Sequence, residues 1–551
     1  MPESSDKQNS MFPKLNEEQI ARLTPFGRLR NAASGEVIFD QGEQRQAFFV
    51  VIEGELEIVS PSEKTETLIT VHHAGEFTGE VDLLSGRHSL VRGRTLVASK
   101  LLEIDRGNLR RIMQTDATIG EIFLRAFLLR RARLIASTSG DVLLIGSRHS
   151  ADTLRLKSFL TRNGQPHTYL DVERDSGIQD LLDHFQINPA DIPVMICRGH
   201  PPLRNPSNAE AANCLGFNAD VDEAHVHDLI VVGGGPSGLA AAVYGASEGL
   251  DVLVLERNAP GGQAGSSSRI ENYLGFPMGI SGQDLADRAF IQAQKFGAQI
   301  AIARSATSLK CKNHPFEIEL AEGGSVRAQT LIIATGAEYR RLPLPNIAQF
   351  EGVGVYYGAT HVEAQLCEDE EVVIVGGGNS AGQAAVFLSG RAKHVYLLVR
   401  REGLTDTMSR YLIRRIEESP SITLHAHAQI ETLEGNGKLE RLTWLDTTTG
   451  ARESRDIHHL FSMTGASPNT SWLQGCLALD DKQFIKTGPD LLPDELATAR
   501  WSLRRQPYLF ETSVPRVFAV GDIRSGSVKR VASGVGEGSI AIQLIHKVLA
   551  E

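Results

Sequence analysis

At 551 residues and a formal net charge of −11, the chain holds material for several domains and no surplus of positive charge. It has no long Lys/Arg run, which argues against nucleic acid as the main partner, and no apolar stretch near the ~18 residues of a membrane helix, so no membrane span is expected. MPESSDKQNS lacks a basic segment followed by an apolar one, and five scattered cysteines with no C-x-x-C fit a reducing compartment; a cytoplasmic protein without a metal site is expected.

Residues 1–138 form the first expected domain. GEVIFDQGE, AFFVVIEGELEIV, TLITVHHAGE and KLLEIDRGNL are short alternating segments between glycine-containing turns, the pattern of an antiparallel β-roll. Residues 117–135 read as a helix with Ile119, Ile122, Phe123, Ala126 and Phe127 on one face, a stripe suited to a core or a dimer contact. With FTGEVDLLSG, this arrangement resembles the cyclic nucleotide-binding domains. The resemblance implies that Gly79 and Glu80 are the phosphate-cassette pair, with Glu80 facing a ribose hydroxyl. The family's phosphate-binding arginine and the small residue after it are replaced by Ser89 and Leu90, so Arg87, Arg92 or Arg94 must substitute. Two readings stay open: a cyclic nucleotide site, or a degenerate roll that only mediates contacts.

Residues 139–222 read as strand (DVLLIGS), helix (ADTLRLKSFLTRNG), strand (HTYLDVE), helix (IQDLLDHF), a strand around residues 192–196 and a closing helix from about Asn208. That order resembles a thioredoxin or glutaredoxin fold, which implies a cis bond at Pro193. Ser147, Arg148, His149 and Ser150 stand where the C-x-x-C would be, and Cys197 is off the motif position, so the module reads as redox-dead. DVDEAH (220–225) is a short acidic linker.

The next stretch organises the chain. An apolar strand, residues 229–232, meets Gly233, Gly235 and Gly238 in G-x-G-x-x-G spacing, then a small-residue helix opening at Pro236 and Ser237, then a strand ending at Glu256. The first glycine allows the tight turn, the second lets backbone approach a pyrophosphate, and the third lets helix and strand pack. Free N–H groups at the helix start suit phosphate, and Glu256 can accept from a ribose 2′-hydroxyl. A second such unit follows strand 372–375, with Gly376, Gly378, Asn379, Ser380 and Ala381. Its second strand ends in Arg400 and Arg401 instead of an acid, which suits a 2′-phosphate and favours NADPH.

With PGGQ (260–263), IENYLGFP (270–277), LIIATGA (331–337) and RVFAVGDIRSGSVKRVASGVGEGSIAI (516–542) in that order, residues 226–551 resemble the thioredoxin-reductase-like flavoproteins. The resemblance implies a multidomain chain: an N-terminal β-roll, an α/β thioredoxin-like domain, and two Rossmann-type domains, an FAD domain (223–345 and 467–551) split by an NADPH domain (346–466). It implies FAD contacts from Gly262, Gln263, Asn272, Thr335, Gly336, Gly521, Asp522 on the ribityl chain, and Lys529, Arg530 and Val531 near the isoalloxazine ring. A homodimer is expected.

One part of the family pattern is missing. Where the disulfide reductases carry C-A-T-C, this chain reads Gly358-Ala359-Thr360-His361, and Cys367 alone cannot close an intrachain dithiol. His361 is left as a candidate proton donor or a space-filling residue. The expected function is an NADPH-dependent FAD oxidoreductase that passes electrons to a direct acceptor such as ferredoxin, a quinone or a small oxidant. Two alternatives stand beside it: a flavin-based NADPH or redox sensor coupled to the roll, and a thioredoxin-disulfide reductase using another thiol.

Overall fold

The computed structural model describes residues 10–43, 47–61, 66–79, 82–85, 87–136, 142–175, 188, 191–197, 200–218, 222–267, 269–473 and 475–551, with backbone alone at 82, 85, 132, 134–136 and 361. Glu80 and the expected helix IQDLLDHF lie outside the described residues.

The alternating segments of the N-terminal region form two antiparallel sheets. One orders Arg28–Ala32, Ser99–Asp105 and Ala47–Glu53; the other orders Val37–Phe39, Arg92–Thr95, Glu55–Pro61 and Glu66–His73. Helix Ala117–Ala136 closes the roll, with Ile119, Phe123, Ala126 and Phe127 fully buried, so the stripe serves the core. Phe48, Phe77, Phe123 and Phe127 form an aromatic cluster with centroids 4.7–6.4 Å apart. Gly79 has φ +107°, and a Cβ there would meet the Phe127 ring at 2.8 Å, which accounts for glycine at this turn.

The second module is a four-stranded sheet in the order Leu203–Arg204, Val194–Cys197, Val142–Gly146, Thr168–Asp171. Its helix Ala151–Arg162 is capped by Ser150, whose hydroxyl accepts from Thr153 N, and the Ile192–Pro193 bond is cis, as read from the sequence.

The flavin-type domain is a seven-stranded sheet. Four strands lie parallel, Gln299–Ile302, Val252–Glu256, Val226–Val232 and Ser325–Ile333, flanked by the antiparallel pair Phe316–Leu320 and Ala306–Leu309, while Val517–Ala519 from the chain's far end pairs parallel with Ser325–Ile333. The inserted unit is an all-parallel sheet in the order Val355–Tyr356, His459–Ser462, Glu371–Val375, His394–Leu398, Ile422–His425. An antiparallel ribbon, Ala337–Tyr339 with Ala466–Pro468, joins the two domains where the chain leaves one and returns. Their central strands are near-continuous apolar runs because both faces are covered, one by helices and the other largely by antiparallel strands such as Phe316–Leu320 and Arg441–Asp446.

The roll, the second module and the flavin-type domain share one hydrophobic cluster, which runs from Phe48 and Phe123 through Phe159, Met195 and Phe217 to Phe290 and Ile302. Polar ties cross the same boundary: Arg131 Nη2 donates to Gly164 O (2.7 Å) and Gln114 Nε2 to Lys295 O (3.2 Å).

Candidate functional site: two dinucleotide cradles

The first cradle is built as its glycines require. Gly233 turns the chain at φ +108°, Gly235 caps helix Pro236–Ser247, and a Cβ at Gly238 would run into the carbonyl oxygen of Gly233. Gly235 differs: a Cβ there would meet only Gly262 Cα, at 3.9 Å, so the room in front of this turn is kept for something other than protein. Buried Glu256 accepts backbone N–H from Gly234 (2.8 Å), Asn258 (2.8 Å) and Ala259 (3.2 Å), bracing the glycine turn beside the open space.

The chain's C-terminal piece completes this cradle. Gly521 N donates to Glu537 (2.6 Å), whose carboxylate pairs with Arg524, and helix Val531–Ala550 lies so close on helix Pro236–Ser247 that a Cβ at Gly538 would strike Ser237 O. Burial raises the Asp522 carboxyl above the ordinary aspartate range, and Lys529, whose Nζ donates to Asp522 O (3.3 Å), opposes that rise. Lys529 and Arg530 are exposed just before the helix and Val531 opens it. Gln263 Nε2 donates to Ala337 O, and Thr335 exchanges hydrogen bonds with Asn469 (2.9 and 3.1 Å) beside Gly336. Asn272 is exposed on a segment tied to the inserted domain through the Glu271–Arg415 ion pair (2.9 Å). Residues thus fit a dinucleotide: an open glycine turn at a helix start, an acid at the neighbouring strand end and a half-buried carboxyl, Asp522, further along.

The second cradle repeats the plan. Gly376 turns at φ +148°, Gly378 caps helix Asn379–Leu388 with nothing within 4 Å of where its Cβ would be, and buried Ala381 packs in the helix core. Asn379 Oδ1 accepts from Ser409 N (2.8 Å). Arg400 and Arg401 are exposed at the strand end; Arg401 has only a loose pairing to Asp406 (3.7 Å), so both guanidiniums are available to a phosphate. Tyr339, not singled out in the sequence, lies near Ser380 and the Asp522 carboxylate. It links the two cradles, and burial pushes its hydroxyl pKa up.

At the position of the missing dithiol, Thr360 caps helix His361–Leu366 in a capping box with Glu363. Gly358 is open, with Ser266 Oγ 3.9 Å from where a Cβ would be; the His361 side chain lies outside the described atoms. Cys367 is fully buried in the inserted domain's core, and burial, then Glu363 and Glu370, pushes its thiol pKa well up, which suits a packed residue and not a nucleophile.

Three features escaped the sequence. Cys311 and Cys476, 165 residues apart, form a disulfide joining the first and last parts of the flavin-type domain. This corrects the picture of five unconnected thiols; no local spacing announces such a pair. Cys214 and Cys197 are neighbouring free thiols in the second module; their proximity lowers the Cys214 thiol, while the same proximity and burial raise Cys197. His225 Nε2 and His227 Nδ1 lie 2.6 and 2.8 Å from one Asp251 oxygen, fastening the linker to the sheet.

Among the described residues, the roll's candidate arginines have these partners. Arg92 pairs with Asp40 and Glu66 (2.8 Å each), and Arg94 with Glu57 and Glu66. Arg87 is buried and turned to the second module: its Nη1 donates to Asn163 O (3.2 Å), and its guanidinium lies 4.2 Å from the Phe217 ring centroid and 5.3 Å from that of Phe290.

The profile of the family described as "Pyridine nucleotide-disulphide oxidoreductase" matches residues 227–538, more than half the chain, and that described as "Cyclic nucleotide-binding domain" matches residues 29–116. The chain therefore belongs to the pyridine nucleotide-disulphide oxidoreductases, as an NADPH-dependent flavoenzyme of the thioredoxin-reductase-like type that uses FAD and NADPH, with a cyclic nucleotide-binding-type domain at its N-terminal end. It is 30% identical to the thioredoxin reductase of Bacillus subtilis over 331 residues, 60% of this chain and 97% of that protein. It is 31% identical to NADPH-dependent thioredoxin reductase 3 of Arabidopsis thaliana over 323 residues, 57% of each chain. The thioredoxin reductase of T. acidophilum superposes with a TM-score of 0.52 at 28% identity, covering 59% of this chain and 99% of that one. Among the described residues no helix is long and apolar enough to cross a membrane.

Proposed function

We propose that this flavoenzyme moves electrons from NADPH to an acceptor that meets the flavin directly, without an active-site dithiol. The observation that carries the reading is the helix start at Gly358-Ala359-Thr360-His361: neither cysteine position holds sulfur, and the nearest thiol in sequence, Cys367, is sealed in a core. FAD supplies the chemistry when bound, taking a hydride and releasing electrons singly or in pairs. The chain's residues bind and orient: Glu256 and the Gly233–Gly238 turn hold the dinucleotide, Asp522 takes the ribityl chain, and Arg400 and Arg401 select the 2′-phosphate. The open face at Gly358 leaves room for an acceptor of the ferredoxin, quinone or small-oxidant class.

The test is NADPH oxidation followed at 340 nm with purified protein and each acceptor in turn, alongside reduction of a disulfide reporter through several thioredoxins. Steady turnover with a direct acceptor and none through thioredoxin is expected. Sustained thioredoxin reduction that survives Cys367→Ser would overturn the dithiol-free reading and direct attention to Cys197 and Cys214. A single reduction that then stalls with every acceptor would favour the sensor reading, for which the Arg87–Asn163 contact offers a route from the roll to the flavin domain. Calorimetry with cyclic AMP and cyclic GMP tests the roll; no heat with either would leave it a structural or dimerising module.

A further inference from the structure

We infer that Arg162, in the thioredoxin-like module, is part of the FAD site, so that this module acts as a clamp on the adenosine–pyrophosphate half of the cofactor. The inference rests on FAD occupying the first cradle. Arg162 is the last residue of helix Ala151–Arg162, and its Nη2 donates to Gly262 O (2.9 Å). Gly262, at φ +53°, packs against Gly235: a Cβ on Gly262 would lie 3.1 Å from Gly235 Cα. Gly235 is the glycine whose missing side chain leaves room for a pyrophosphate. The guanidinium is thereby tied to the residue that packs directly on the glycine facing the phosphate position.

Two further observations point to a ligand. Arg162 Nε is buried and has no hydrogen-bond partner. A buried guanidinium donor left unmade is costly, and a phosphate oxygen is the acceptor its planar fork matches best. Burial, first, lowers the Arg162 pKa, while Glu256 and Glu363 oppose that drop. The cation is thus held in a desolvated place beside the residue that faces the ribose. The surrounding structure holds the helix end for this role. Gln283 Nε2 donates to Arg162 O (2.9 Å), and Asn163 Nδ2 donates to Asn258 O (3.1 Å), so the FAD domain holds the arginine's own carbonyl and the side chain of the next residue. A module without a dithiol thus keeps a reason to stay docked.

The test uses full-length apoprotein and titrates FAD by the quenching of flavin fluorescence, with ADP as competitor to isolate the half of the dinucleotide that Arg162 faces. Losing one charge-assisted contact to phosphate should raise the FAD Kd about 10- to 100-fold in Arg162→Ala, with the same factor for ADP. Arg162→Lys should recover part of it, since the charge returns without the fork. Gln283→Ala loosens the same helix end without touching the guanidinium and should change FAD affinity less than about threefold. If Arg162→Ala does not give a cooperative thermal unfolding curve, Arg162→Gln and Arg162→Lys carry the measurement. An FAD Kd within twofold of wild type in any folded, uncharged Arg162 variant overturns the inference. So does an equal loss in Gln283→Ala, which would trace the effect to docking alone. A wild-type apoprotein that takes up no FAD would instead remove the assignment on which the inference stands.

Discussion

The two dinucleotide cradles share a strand–glycine turn–helix plan and differ in how much of the chain is built around them. In the first cradle the acid proposed to select the nucleotide is also a brace: Glu256 is buried and accepts three backbone N–H groups. The roll and the thioredoxin-like module share a hydrophobic cluster with this domain. In the second cradle the residues proposed to select NADPH, Arg400 and Arg401, are exposed. The thioredoxin-like module meets that unit more thinly, through Leu154 and a long Lys157–Gln365 hydrogen bond (3.5 Å). If these residues recognise their nucleotides as proposed, recognition is inseparable from folding in the first cradle and separable from it in the second.

The largest effect that would sharpen this contrast comes from two glycines three residues apart. Gly238→Ala forces a Cβ into the Gly233 carbonyl and should cost about 3 kcal/mol or more, enough to leave the protein insoluble or without a cooperative melt. Gly235→Ala meets no protein atom closer than 3.9 Å, so the apoprotein should fold and melt normally yet purify colourless. Near-equal melting temperatures for the two apoproteins would break the steric account.

Next in size is Glu256→Ala. It strands up to three backbone donors beside the glycine turn and should lower stability by about 3 kcal/mol, read by denaturant melts of the apoprotein, besides weakening FAD. The matched change in the other cradle, Arg400→Ala with Arg401→Ala, should leave stability within about 0.5 kcal/mol while costing about 2–4 kcal/mol in kcat/KM for NADPH and little for NADH. Equal losses with both nucleotides would show that the pair does not select, and a large stability loss in the arginine variant would erase the difference between the cradles.

The cradles were legible in the sequence because each glycine answers a local steric demand and apolar strands flank it at fixed spacing. The roll was legible for a similar reason, since alternation reports a sheet with one buried face. What the sequence hid lies between modules. Arg87 was read only against the cassette near Gly79, and its contacts with Asn163, Phe217 and Phe290 from other modules had no signal in the sequence. Cys311 and Cys476 lie on either side of the whole inserted domain, and only the return of the chain to the first sheet brings them together. Arg162 sits at an ordinary helix end, with nothing in its neighbours to show what it reaches.

The smallest predicted effect probes the shared packing that sets the flavin domain apart. Asp287 lies on helix Gly282–Phe296 where the three N-terminal modules meet; it accepts from Gln283 Nε2 (2.8 Å), with Arg131 and Arg87 close enough to favour its charge. Burial outweighs them and raises the carboxyl from 3.8 to about 6. The folded state therefore holds a proton that the unfolded chain has released between these two values, so stability falls as pH rises through that window and the cost of the buried charge is complete above it. Asp287→Asn keeps an acceptor for Gln283 without the charge. It should gain about 1–2 kcal/mol at pH 7.5, below the full value of two pH units because the side chain keeps some water contact, and nothing near pH 4. Urea melts at both pH values check this. A gain that is the same at both would mean that the asparagine acts through packing, while a loss at pH 7.5 would mean that Arg87 and Arg131 stabilise the carboxylate more than burial penalises it, making the junction between roll and flavin domain an ionic clasp.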